Sequence, residues 1–237
     1  MGFTGPLCDL NPEFPGRTMA DWSCRPIHLP PSCRLDQVIL ELSTEEETFA
    51  SERRDKEDEY SSKHTSIFPS IASLLNPKSL SSPSTATDHI SEGIGKHGRF
   101  MSVPRLSEKI AMMYNMCLYI RWLRNRTKAN WLAMPKHLRP TKLQQTVPHP
   151  AWIDMVIWPC ARDAIIEQMD WSQFELYRTA SGAELSVHWP QPEQVVVMNG
   201  NEVALTPAFE RHIRNIDNWS SGKGVARIFP FLSFLPE

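Results

Sequence analysis

Residues 147–166 read VPHPAWIDMVIWPCARDAII, which puts His149, Asp154, Cys160, Arg162 and Asp163 into one run with Trp152 and Trp158. Imidazole, carboxylate and thiol are the groups from which acid–base, nucleophilic and metal chemistry are built. A thiol nucleophile needs Cys160 beside a histidine that a third group orients. Pro159 suits the first turn of a helix, and a helix N-terminus lowers a thiol pKa. No other sequence feature of a thiol enzyme surrounds it. A metal would have to recruit His149 and Asp154 with His188 and His212 from separate segments, since no pair has the HxxxH or HExxH spacing that aligns two imidazoles on one helix. GxxxxGK[ST], GxGxxG and GxSxG are absent as well, which argues against the common nucleotide enzymes and nucleophile-elbow hydrolases.

These patterns assign no catalytic residue, no metal ligand and no cofactor. They point instead to a polar, aromatic corner formed by His149, Trp152, Asp154, Trp158, Arg162 and Asp163, with His212 joining from afar, as a pocket or partner surface. Asp154, Arg162, Asp163, Arg211 and Asp217 are expected to pair as ions, because a buried charge needs a partner. The alternative is an enzyme of unfamiliar type that uses the His149–Asp154–Cys160 corner.

The elements that must position this corner follow from the apolar pattern. SEKIAMMYNMCLYIRWLRNR has only Asn115 and Arg121 as polar residues between Ile110 and Leu123. That predicts a core helix, apolar nearly all round, with Ser107 as its N-cap and too short to cross a bilayer. Five prolines between 135 and 159 impose extended turns, with short helices at about 151–156 and 159–169. ELSVHW and VVVM read as strands, and NGN at 199–201 as a turn between strands. TPAFERHIRNIDNW predicts a helix with Thr206 as N-cap and Pro207 in the first position. Phe209, Ile213 and Ile216 lie on its dry face, and Glu210 and Arg214 pair on the wet one. The fold class expected is mainly α with a small β hairpin (α+β) and a disordered N-terminal segment.

The chain divides in composition. Residues 1–100 carry 15 acidic and 10 basic side chains, residues 101–237 carry 12 and 15, and seven of the eight tryptophans lie in the second part. Large apolar side chains are what offset the entropy of ordering a chain. Residues 101–237 are therefore expected to fold on their own, and residues 1–100 to be largely disordered, Pro/Ser-rich and acidic. Leu35, Leu42 and Phe49 fall seven apart, which is too short a repeat for a stable zipper. Ile67, Ile71, Leu74 and Leu75 have helical spacing in a polar linker. They mark 67–76 either as a docking helix or as a tail that folds back on its own domain. The five cysteines form no CxxC pair, and Cys24 and Cys33 have only His28 close by as a further zinc ligand. A reduced intracellular setting fits this usage.

From Arg121 to Lys142 there are seven basic residues and no acidic one, with Trp122 and Trp131 between them. Arg121, Arg124, Arg126 and Lys128 are the candidates for contacts to a nucleic-acid backbone. The competing reading is a solvated face whose alkyl stems cover the core.

Four blocks carry a family resemblance: MPKHLRPTKLQQTVPHPAWID, ARDAII, LSVHWP and LTPAFERHIRNIDNWSSG, in that order. Over about residues 105–230 the chain resembles the domain of unknown function found C-terminal to the basic-leucine-zipper region of filamentous-fungal transcription regulators. The resemblance implies a nuclear protein linked to transcription (otherwise a cytoplasmic one), acting through other regulators or a small effector and not through catalysis. One feature departs from that pattern. Before Leu35 there are only Arg17, Arg25 and Arg34, scattered among prolines, so no basic helix leads into leucine heptads and sequence-specific DNA binding by this chain is not expected.

Overall fold

The computed structural model describes residues 21–44, 68–76 and 86–237. Phe49, Ile67 and most of the acidic and Ser-rich stretches lie outside the described residues. The described chain is mainly helical, with one two-stranded antiparallel hairpin.

The centre is a helix over Leu106–Arg124, with thirteen of its nineteen residues buried and Ile120 and Trp122 fully so. A helix buried on nearly every side has to be covered by other elements all round. Its N-cap is Arg105 and not Ser107, and no side chain caps it; the Ser107 hydroxyl donates to Glu108 instead. We label the helices in chain order: α1 Arg34–Ser43, α2 Ile71–Leu75, α3 Ala86–Gly98, α4 Leu106–Arg124, α5 Lys128–Ala133, α6 Lys142–Thr146, α7 Pro159–Gln168, α8 Phe174–Glu184, α9 Pro207–Ile213 and α10 Lys223–Ile228. Among the described residues no helix is long and apolar enough to cross a membrane.

The hairpin pairs β1 Val196–Asn199 with β2 Glu202–Leu205, and Gly200 turns it at φ 62°. Val196–Met198 of VVVM are thus strand, and Gly200 and Asn201 of NGN form the turn, with Asn199 still paired to Glu202. ELSVHW is not a strand: it makes only an isolated bridge between Ser186 and Ser220. His188, at φ 48°, breaks the extended run two residues after the bridge. Thr206 caps α9 with Pro207 in its first turn, and Phe209 and Ile213 are fully buried. α9 stops at Ile213, and a separate 3-10 turn at Ile216–Asn218 carries the next apolar residue. Glu210 and Arg214 approach to 4.0 Å, and both engage the Tyr114 hydroxyl of α4.

The core crosses residue 101. Ile39 of α1, Ile71 and Leu74 of α2, and Ile90 and Ile94 of α3 are buried in one cluster with the α4 side chains. α2 packs on α3 and α4, as a segment folded back on its own chain, with Leu75 turned outward. These segments contain few large aromatics, but each presents one apolar face, and a face suffices when α4 is already there to receive it.

Asp36 shows how tightly the N-terminal part is bound in. It lies in the first turn of α1 and is fully buried. One carboxylate oxygen accepts from the Trp152 backbone N–H at 2.7 Å, and the other from the Ser32 backbone N–H at 2.9 Å and its hydroxyl at 2.7 Å. Asp36→Ala should orphan the buried Trp152 N–H and cost about 1–3 kcal/mol. A fragment of residues 101–237 should unfold at lower denaturant than the full chain. Denaturant melts of the three proteins check this; coincident midpoints would mean that the first hundred residues contribute nothing to the core.

Candidate functional site

The proline-rich run after α5 is held by local capping. Thr141 and Gln144 form a capping box around α6: the Thr141 hydroxyl accepts from the Gln144 backbone N–H, and the Gln144 side-chain Oε1 accepts from the Thr141 backbone N–H at 2.9 Å. That fixes the Gln144 amide nitrogen toward Asp154, to which it donates. Residues 27–29 then lie alongside His149 as a parallel bridge. Ile27 N–H donates to Gln144 O, Leu29 N–H to His149 O, and His149 N–H to Ile27 O, each at 3.0 Å. The bridge brings the His28 ring to the same place as the His149 ring, with centroids 5.6 Å apart and edge to face.

Asp154, in the 3-10 turn Ala151–Met155, is the centre on which these groups converge. One oxygen accepts from Gln144 Nε2 and from His149 Nε2 at 3.0 Å, the other from His28 Nε2 at 2.6 Å and from the Tyr119 hydroxyl of α4. Four donors fill the roughly four acceptor directions of a carboxylate. His149 and Asp154 are fully buried, so the carboxylate itself is shielded from water. Burial alone would raise the Asp154 pKa, but the hydrogen bonds from His149 and His28 outweigh it and hold the carboxyl well below the usual range.

His149 is constrained from both sides. Its Nε2 faces Asp154, and its Nδ1 lies 2.7 Å from the Val147 carbonyl. A carbonyl and a carboxylate both only accept, so both ring nitrogens must carry a proton. Burial pulls its pKa down, while the Asp154 and Val147 bonds more than reverse this, giving a net upward shift. The Tyr119 hydroxyl is pushed far up by burial and by Asp154, and stays a donor.

The anticipated ion network does not form this way. Asp154 pairs with His28 and His149, not with Arg162. Arg162 is fully buried and donates to the backbone carbonyls of His137 and Arg139, each at 2.9 Å, and more distantly to that of Val156. It ties the proline-rich loop to α7, and burial lowers its pKa. Asp163 accepts from the Thr141 hydroxyl at 2.5 Å. His212 donates to the Val187 carbonyl at 2.6 Å and packs against Trp189, away from Asp154. His188 lies 2.9 Å from the Ser220 hydroxyl.

Among the described residues, the trio that could hold a metal is His28, His149 and Asp154, with ligand atoms within 4.8 Å of one another. His188 and His212 are not part of it. The protein already satisfies these atoms with one another. Four residues of the cluster or its supports carried no signal in the run 147–166: His28, Tyr119, Gln144 and Asp36. Only Gln144 was within reach, because TKLQ fits the capping-box pattern.

Beside this closed cluster lies a cavity of about 110 Å³. Trp152 and Trp158 form part of its wall, with Met116 of α4, Tyr177 of α8 and Phe100. Trp152 itself stacks on Phe174 and Tyr177, with ring centroids at 4.9 and 5.4 Å. Gly182 allows α8 to close one side, since a Cβ there would sit 2.6 Å from the Ser102 carbonyl oxygen. Two of the four basic candidates are engaged elsewhere. The Arg121 guanidinium lies 4.6 Å over Phe68, Arg126 donates to the Leu123 carbonyl, Arg124 is half-buried, and Lys128 is exposed.

Residues 117–233 match the family model described as Domain of unknown function (DUF3425). They are a DUF3425 domain. No curated protein and no solved structure matches the chain. The DUF3425 domain supplies Tyr119, Gln144, His149, Asp154 and Arg162, whereas His28 and Asp36 reach it from the chain before it.

The pH dependence of the cluster has a definite sign. His149 has a folded pKa above its ordinary value of 6.5, so its contribution is complete below that value and is lost as pH rises through the raised pKa. The depressed Asp154 keeps its contribution above the ordinary carboxylate value of 3.8, so the pair is at full strength between the two. His97 and His137 are pushed down to about 4, chiefly by burial, and act in the opposite direction, but they are common to both proteins in a variant comparison. The stability lost in His149→Gln should therefore be largest near about pH 6 and shrink as the pH is raised above 6.5. Paired thermal melts across that range measure it; a loss that is constant or grows with pH would contradict the pairing.

Proposed function

We propose that this chain is a non-enzymatic regulatory or interaction module of the type that accompanies basic-leucine-zipper regions in filamentous-fungal transcription regulators. It works in the nucleus through other regulators or a small effector, and it does not itself read a DNA sequence. The observation that carries this reading is the contrast between the two features of the site. The carboxylate–imidazole cluster has its acceptor directions filled from within, so acid–base work there would first have to break the core's own bonds. The space that could admit a molecule lies next to it, with aromatic and methionine side chains for walls. Such a pocket favours binding over turnover.

The DUF3425 domain supports the reading, as do the four blocks whose order resembles the regulator-associated family. The basic stretch supports its second half. Arg121 and Arg139 lie over aromatic rings, and Arg126 bonds the end of α4, so several of the positive charges serve packing.

The test is to tether the full chain to a heterologous DNA-binding domain in a filamentous fungus and follow a reporter gene. A several-fold change in expression is expected, and a silent reporter would count against a regulatory role. In mobility-shift assays the untethered chain should show at most weak binding that falls steeply between about 50 and 200 mM salt. A nanomolar, sequence-selective shift at physiological salt would contradict the claim that it does not read DNA.

A further inference from the structure

The cavity has a chemical preference that its walls spell out. Its volume of about 110 Å³ compares with an engineered apolar cavity of ~150 Å³ that takes up benzene. The space is smaller than that, so one ring with no more than a small substituent is the largest ligand it fits. Four methionines, Met101, Met112, Met116 and Met155, line it, and methionine adapts its shape to an occupant.

Two of the lining residues also carry buried nitrogens with no hydrogen-bond partner among the described residues: Nε1 of Trp152 and Nδ1 of His97. A buried donor left unpaired costs free energy, and native proteins leave few of them. The indole N–H can only donate, so it calls for an oxygen acceptor.

The wall offers little to a full negative charge. Arg178 is the cation there, and its guanidinium is committed to Glu175, to the Phe100 carbonyl and to the Ser102 hydroxyl. His97 is held neutral at physiological pH by burial and by the nearby Arg34 and Arg178. A carboxylate in this space would be desolvated without a partner, which is unfavourable. A carbonyl oxygen on an apolar ring meets the N–H without that cost.

We propose that the cavity between α4, α8 and the 100–103 segment binds a small, uncharged, ring-containing carbonyl compound, whose oxygen accepts from the Trp152 indole N–H. This rests on the regulatory reading above and names the class of its effector.

The experiment uses the full chain with ¹⁵N-labelled indoles, and three probes of similar shape. Acetophenone has the carbonyl, α-methylstyrene replaces C=O by C=CH₂, and benzoate carries a charge. Acetophenone should shift the Trp152 Nε1–H resonance downfield and saturably, and bind roughly tenfold more tightly than α-methylstyrene. Benzoate should bind more weakly than acetophenone. Trp152→Phe identifies the resonance and should make acetophenone and α-methylstyrene equal in affinity. If that variant fails to fold, the comparison of probes on the unaltered chain still decides the question. The proposal is overturned by a titration with no saturable shift, by equal affinities for acetophenone and α-methylstyrene on the unaltered chain, or by benzoate binding tightest. A failed titration leaves the regulatory reading to stand or fall on the reporter, and a silent reporter with a saturable titration does the reverse.

Discussion

A carboxylate removed from water must be repaid by donors, and the structure is organised around meeting that demand at Asp154. Taking an ion into a protein interior costs several kcal/mol or so even after relaxation. Here the cost is offset by four donors drawn from four stretches of chain: His28 before α1, Tyr119 of α4, Gln144 of α6, and His149 in the run leading into the 3-10 turn. Each donor is fixed in turn by something local. Gln144 is set by a capping box, His149 by the Val147 carbonyl, and His28 by the parallel bridge to residue 149. Removing one donor would leave a buried charge short of a partner, so the four stretches hold one another in place.

The cavity depends on that joint. Trp152 lies two residues before Asp154, with its backbone N–H on the buried Asp36 and its ring against Phe174 and Tyr177. The same indole is thus a fixed wall of the cavity, positioned by two buried carboxylates. Leu35 from α1 also lines the cavity, and Arg34 lies 3.8 Å over the ring of Phe100, another lining residue. The segment before the DUF3425 domain therefore helps to form the cavity as well as the cluster. Any partner that displaced this segment would change both together.

Much of the fold was legible in the sequence because it rests on local rules. The all-round apolar pattern of residues 110–123, Pro207 after Thr206, and the turn at Gly200 and Asn201 each dictate geometry within a few residues. The strand expected at ELSVHW failed because His188, at positive φ, breaks the extended run, which local pattern does not announce. Trp152 and Trp158 of the run line the cavity, and His149 bonds Asp154. His212 bonds elsewhere, while Arg162 lies near enough for its charge to act on His149 and Asp154 without bonding either. Arg162 found backbone carbonyls in place of a carboxylate, and His212 found Val187, choices set by the path of the proline-rich loop. His28, weighed only as a zinc ligand beside Cys24 and Cys33, and Asp36 were not linked to the corner because they act across more than a hundred residues, from segments whose composition argued against a folded core.

The most direct test of this organisation is the protonation of the His149 ring, read from its ¹⁵N resonances in the full chain near neutral pH. With Nδ1 on a carbonyl and Nε2 on a carboxylate, both nitrogens should appear protonated, and they should revert to a single-proton pattern in Asp154→Asn. A neutral single tautomer in the unaltered chain would contradict the charged joint on which the rest of the structure depends.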